Sequence, residues 1–116
     1  MEVTFYETTS FAEGVSKLRA EAQRLELKQE LTRYPEKGDL LRGTGGFRKT
    51  RMRLPGRGKS GGARVIYYYL SPDGVIYLVS LYAKNVQETL TAKQTKQLKE
   101  LSTIIEAKIQ EAKDHE

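Results

Sequence analysis

The stretch from Leu41 to Lys84 leaves few folds open. It holds three strand-like runs, Phe47–Leu54, Ala63–Leu70 and Val75–Tyr82. Pro55 to Gly62 is too rich in glycine for regular structure and reads as a mobile hairpin loop. Ser71-Pro72-Asp73-Gly74 reads as a tight turn, with proline presetting one φ and glycine accepting a positive one. Strands joined this closely pair antiparallel, so the block predicts a three-stranded meander. Between Leu40 and Pro72 there is no Asp or Glu, whereas Arg42, Arg48, Lys49, Arg51, Arg53, Arg57, Lys59 and Arg64 all lie in that window. A sheet so cationic repels itself unless an anion neutralises it. RNA is the first candidate for that anion.

The flanks supply what the sheet must pack against. Glu2–Tyr6 is short and β-prone, suited to joining the central sheet. Thr8, Thr9 and Ser10 offer N-cap hydroxyls, and Glu13 stands three residues after Ser10 as in a capping box. Phe11, Val15, Leu18, Ala22 and Leu25 follow at helical spacing, while Leu27 and Leu31 sit on a different angle. A bend or a second helix is therefore expected between Leu18 and Leu25, ending before Pro35. Glu36 to Gly46 reads as loop. In Phe47–Leu54, period two separates Phe47, Lys49, Arg51 and Arg53 from Arg48, Thr50, Met52 and Leu54, and the second set is the better core face. Val75–Tyr82, almost continuously apolar, is the expected buried central strand. Thr91 caps a last helix from Ala92 to about Lys113, with Leu98, Leu101, Ile105 and Ile109 as its apolar stripe. The order predicts an α+β fold: N-terminal strand, helical region, three-stranded antiparallel meander and C-terminal helix, in one domain over residues 1–116.

Composition narrows the chemistry. The 116 residues suit a single modest core, and the net charge of +5 is concentrated in the middle of the chain. With no cysteine, disulfides, thiolate metal sites and a Cys nucleophile are excluded, as suits a cytoplasmic protein. No apolar run approaches a membrane span, and the first residues lack the layout of a signal peptide. Gly58-Lys59-Ser60 is not a phosphate loop: the required earlier glycine is Arg53, and a strand rather than a helix follows. Gly43-Thr44-Gly45-Gly46 lacks the spacing of a dinucleotide fingerprint. The only histidine is His115, in a tail expected to fray, and no carboxylate cluster suggests a metal.

If the chain cleaves RNA, then Lys, Arg and Tyr must do the work. A 2′-hydroxyl attacks the adjacent phosphate when a neighbour helps remove its proton and cations hold the developing charge. Period two puts Lys49 and Arg51 on one face of the first run. Arg64 opens the second, sharing its face with Ile66 and Tyr68, while Ser80, Tyr82 and Lys84 share a side of the third. Their convergence on one concave end is the expectation. The alternative from residue types alone is a solvated basic face that binds nucleic acid without cutting. Tyr67–Tyr69 are candidates for stacking on bases, with at least one ring expected in the core.

Three linked motifs carry a resemblance. They are Gly38-Asp39-Leu40 with Gly43–Lys49, then Gly58–Tyr68, then Leu81–Asn85. Through them the chain resembles the HigB-like branch of the RelE/ParE superfamily, toxins of bacterial type II toxin–antitoxin modules. The resemblance covers nearly the whole chain, including the Leu90-Thr91 start of the last helix. It implies a small RNase-like fold and ribosome-dependent cleavage of mRNA through a 2′,3′-cyclic phosphate, without metal or cofactor. It also implies neutralisation by a cognate antitoxin, expected to be a helix-turn-helix DNA-binding protein. The implied site is Lys49 assisting the 2′-hydroxyl, Arg51 and Arg64 on the phosphorane, and Lys84 on the leaving oxygen or the phosphate. Lys84 stands where the best-known members have arginine. Those members also carry a tyrosine beyond the last strand, which is absent here, leaving Tyr82 as a stand-in. Arg48, Arg53, Arg57 and Lys59 would contact RNA or the ribosome. Two other readings stay open: a ParE-like poison of DNA gyrase, and an RNA-binding module without catalysis.

Overall fold

In the computed structural model the described residues are 2–56, 62–70, 73–83 and 89–115. They form β1 (Thr4–Glu7), α1 (Thr9–Leu18), α2 (Glu21–Arg33), β2 (Asp39–Leu40), β3 (Phe47–Met52), β4 (Ala63–Leu70), β5 (Val75–Ala83) and α3 (Ala92–Asp114). The sheet has five strands in the order β1-β5-β4-β3-β2. β3, β4 and β5 make the expected antiparallel meander, and β1 joins β5 in parallel. Two expectations are corrected here. The 36–46 loop contributes a short strand, β2, antiparallel to β3. The middle strand of the five is β4 rather than β5, because β2 extends the sheet beyond β3 as β1 does beyond β5. β5 itself is interior, between β1 and β4.

Local chemistry explains the helix boundaries. The Thr8 hydroxyl accepts from the Phe11 amide at 3.1 Å and donates to the Val79 carbonyl at 2.6 Å. Thr8 is therefore the cap, and Ser10, expected to open a capping box with Glu13, already lies inside the helix. α1 stops where Arg19 turns left-handed, at φ 54°, its amide donating to Ser16 and Val15 carbonyls. That residue resets the helical phase. Leu27 and Leu31 then face the sheet, while Leu25, expected on the α1 stripe, is 60 % exposed. An L-residue in this conformation carries about 1 kcal/mol of strain. Arg19→Gly is expected to stabilise the fold by about 0.5–1 kcal/mol, read as a higher urea midpoint at unchanged slope.

Both faces of the sheet are covered. α1 and α2 bury Phe11, Val15, Leu27 and Leu31 against Met52, Val65, Tyr67, Ile76, Leu78 and Leu81. Gly14 lets α1 approach closely, since a Cβ there would stand 3.0 Å from the Leu81 carbonyl oxygen. The opposite face buries Phe47, Ile66, Tyr68 and Val79 beneath Leu98 and Ile105 of α3. This accounts for a buried Phe47 on the strand face not assigned to the core. α3 begins at a full capping box between Thr91 and Gln94, and its stripe of Leu98, Leu101, Ile105 and Ile109 faces the sheet.

One irregularity matters for function. Ile66 pairs with Ser80 but Tyr67 pairs with Leu78, so Val79 is an extra residue in β5. Such a bulge shifts the alternation by one residue. Ser80 and Tyr82 consequently share a face with Tyr77 instead of opposing it.

Candidate functional site

Strand register assembles the cations. Arg51 pairs with Arg64 and Lys49 with Ile66, while on its other side Arg64 pairs with Tyr82. Cross-strand partners point to the same side of a sheet. Lys49, Arg51, Arg64 and Tyr82 therefore occupy the α3 face, where Tyr82 packs against the cluster that α3 covers. Arg51 is exposed there, and Lys49 and Arg64 are half-buried. Lys49, Arg51 and Arg64 line one cleft of about 360 Å³ together with Lys37, Asp39 and Thr50.

Arg24 and Lys28 both reach Glu7, Lys37 pairs with Glu30, and Lys113 with Asp73. Among the described residues, Lys49, Arg51 and Arg64 have no such carboxylate. Like charges directly opposed across strands cost up to about 1 kcal/mol. The Arg51–Arg64 pair retains that repulsion, which an anion in the cleft would convert to attraction. Two guanidinium forks suit a phosphodiester, because each can donate in parallel to its oxygens.

Residues 13–115 match the family described as the RelE toxin of the RelE / RelB toxin-antitoxin system. The chain belongs to the RelE toxin family. Among solved structures, it is similar to the toxin RelE of E. coli, in a double-arginine mutant in the free state. That likeness has 19 % identity and a TM-score of 0.50, over 76 % of this chain and 90 % of the other, and concerns the α+β fold. Membership implies a cognate antitoxin for this RelE toxin. No described helix is long and apolar enough to cross a membrane.

Two charged cleft residues of the toxin were not assigned to the site from the sequence. Asp39 is the cross-strand partner of Lys49, which puts a carboxylate among the cations, and Lys37 precedes it across Gly38. A two-residue strand has no periodicity to detect. The only hint was its position in Gly38-Asp39-Leu40.

Tyr82 is half-buried, and burial pushes its phenol above the ordinary value while the Arg64 charge pulls it down. At neutral pH it therefore keeps its proton and acts as a donor. Arg48 points to the opposite face and clamps the preceding loop, donating to the Glu36 carbonyl at 3.1 Å and the Gly38 carbonyl at 2.7 Å. Arg53 is exposed just beyond β3, in a groove with Arg51 and with Glu26 and Glu30 of α2. Lys84, Arg57 and Lys59 lie outside the described residues. Of the tyrosine run, Tyr67 is fully buried, and its hydroxyl accepts from the Gly38 amide and donates to the Pro35 carbonyl. Tyr68 is also buried, donating to Glu106 at 2.7 Å. Burial, foremost, keeps both phenols protonated.

Proposed function

We propose that this toxin is an mRNA endoribonuclease that acts on the ribosome and so halts translation in the cytoplasm, until an antitoxin of the helix-turn-helix class covers it. The finer kinship to the HigB-like branch belongs to the same reading. The observation that carries it is the meeting of Lys49, Arg51 and Arg64, without carboxylate partners among the described residues, around a cleft able to hold one phosphodiester. In this reading the 2′-oxygen forms a bond to phosphorus as the bond to the 5′-oxygen breaks. The products are a 2′,3′-cyclic phosphate and a 5′-hydroxyl. Arg51 and Arg64 hold the charge that accumulates on the phosphorane oxygens, an effect worth about 3–4 kcal/mol for one well-placed donor. Lys49 assists the 2′-hydroxyl, and Asp39 beside it supplies an acceptor for the proton. In the same reading Tyr82 donates to the departing oxygen, a role it would share with Lys84.

Mapping of mRNA ends after induction tests the reading. Cuts phased with codons, bearing cyclic phosphates, are the expected result, and Asp39→Asn is expected to slow cutting by about a hundredfold. DNA damage with intact mRNA would point to a gyrase poison instead. Salt-dependent RNA binding without cutting on programmed ribosomes would leave only a binding module.

A further inference from the structure

A second cavity, of about 240 Å³, lies between α3 and the sheet. Ile66, Leu98 and Leu101 supply apolar walls, while Ser80, Tyr82 and Gln97 bring a hydroxyl, a phenol and a carboxamide. Tyr82 is shared with the cationic row, being the cross-strand partner of Arg64. Paired side chains stand about 5 Å apart at Cβ, so a phosphate held by Arg64 would carry its attached nucleoside to the mouth of this cavity.

We propose that this cavity is a nucleobase subsite, taking one unstacked base of a single-stranded RNA beside the phosphate at Arg64, with Gln97 reading the base edge. The inference rests on the nuclease reading above and deepens it by naming what selects the nucleotide. Its size is below that of pockets for drug-sized ligands, as a single base requires. Its lining is of the kind by which proteins hold unstacked bases: apolar and aromatic side chains with a few polar groups. Two carboxamides line the cavity, Gln94 and Gln97, and the Gln94 oxygen already accepts from the Thr91 amide in the α3 capping box. Gln97 offers a donor and an acceptor on one plane, the pattern that pairs with a base edge. An aliphatic side chain from a protein partner would fill the apolar walls but leave Ser80 and Gln97 desolvated without partners. Continuity with the cations favours a ligand carrying its own phosphate.

The test uses the full chain and two readouts. The first is titration with an RNA trinucleotide whose middle ribose is 2′-deoxy, to block attack, and with its counterpart lacking the middle base. Methyl NMR signals of Leu98 and Leu101 are expected to shift with the intact trinucleotide and not with the abasic one. The second is cutting on programmed ribosomes by Gln97→Ala and Leu101→Trp. Gln97→Ala is expected to change the base distribution at the cut. Leu101→Trp, which fills the cavity, is expected to lower kcat/KM by about tenfold. Methyl shifts without any cutting by the wild type would keep the subsite and sink the nuclease reading. Leu98 and Leu101 signals that ignore the trinucleotide, or answer only to the antitoxin, overturn the subsite whatever the ribosome assay shows.

Discussion

Arg64→Ala is expected to give a folded toxin that no longer arrests growth. One preorganised donor aimed at developing charge is worth about 10²- to 10³-fold in rate, and Arg64 lies between the other cleft cations and Tyr82. Its removal also relieves the repulsion from Arg51 directly across the strand pair. Stability should therefore stay within about 0.5 kcal/mol of the wild type, which separates lost catalysis from lost folding. Arg64→Lys keeps the charge but loses the fork, so partial activity is expected. A spectroscopic readout follows from the same geometry. The Arg64 charge lowers the Tyr82 pKa against the upward push of burial. Without it the phenolate loses its neighbouring cation, and the Tyr82 titration should move to higher pH, seen by ¹³Cζ-tyrosine NMR assigned with Tyr82→Phe. Growth arrest undiminished by a folded Arg64→Ala protein would take Arg64 out of the site.

Gly38→Ala is expected to damage both stability and the cleft. Gly38 is buried, and a Cβ there would meet the Lys49 carbonyl oxygen, Tyr67 Cε1 and Tyr67 Oη, each at 2.9 Å. None of these can retreat cheaply. The first is backbone of β3, and the ring is held by hydrogen bonds from its hydroxyl to the Pro35 carbonyl (2.8 Å) and from the Gly38 amide (3.0 Å). Overpacking of this kind costs about 1–3 kcal/mol, a fall in Tm on the order of 10 °C for a chain this size. Because Gly38 immediately precedes β2, the strain should also move Asp39 away from Lys49. Tyr67→Phe is the companion variant. It leaves the space unchanged but strips the partner from a buried amide, at a cost of about 1–3 kcal/mol. Wild-type Tm and cutting by both variants would mean that this loop is not seated on Tyr67.

Much of the fold was legible because its signals are local. The β-branched and aromatic density of Ala63–Leu70, the Thr91 cap and the positive φ of Gly74 are decided within a few residues. So was the break after Leu18, although Arg19 rather than a glycine makes it. Asp39 was missed because two residues of strand carry no pattern, and Leu25 was misplaced because one left-handed residue resets a helical phase without a sequence marker.

From sequence alone came the strands, the helices, the acid-free block of cations and hence the need for an anion, all of which follow from residue type and short-range spacing. Tertiary structure alone decided which side chains meet. With a side-chain period of two, a one-residue slip or bulge sends every later residue to the other face. The extra residue at Val79, selected by packing on both faces of the sheet, is what turns Tyr82 toward Arg64. The short pairing of β2 is likewise what sets Asp39 beside Lys49.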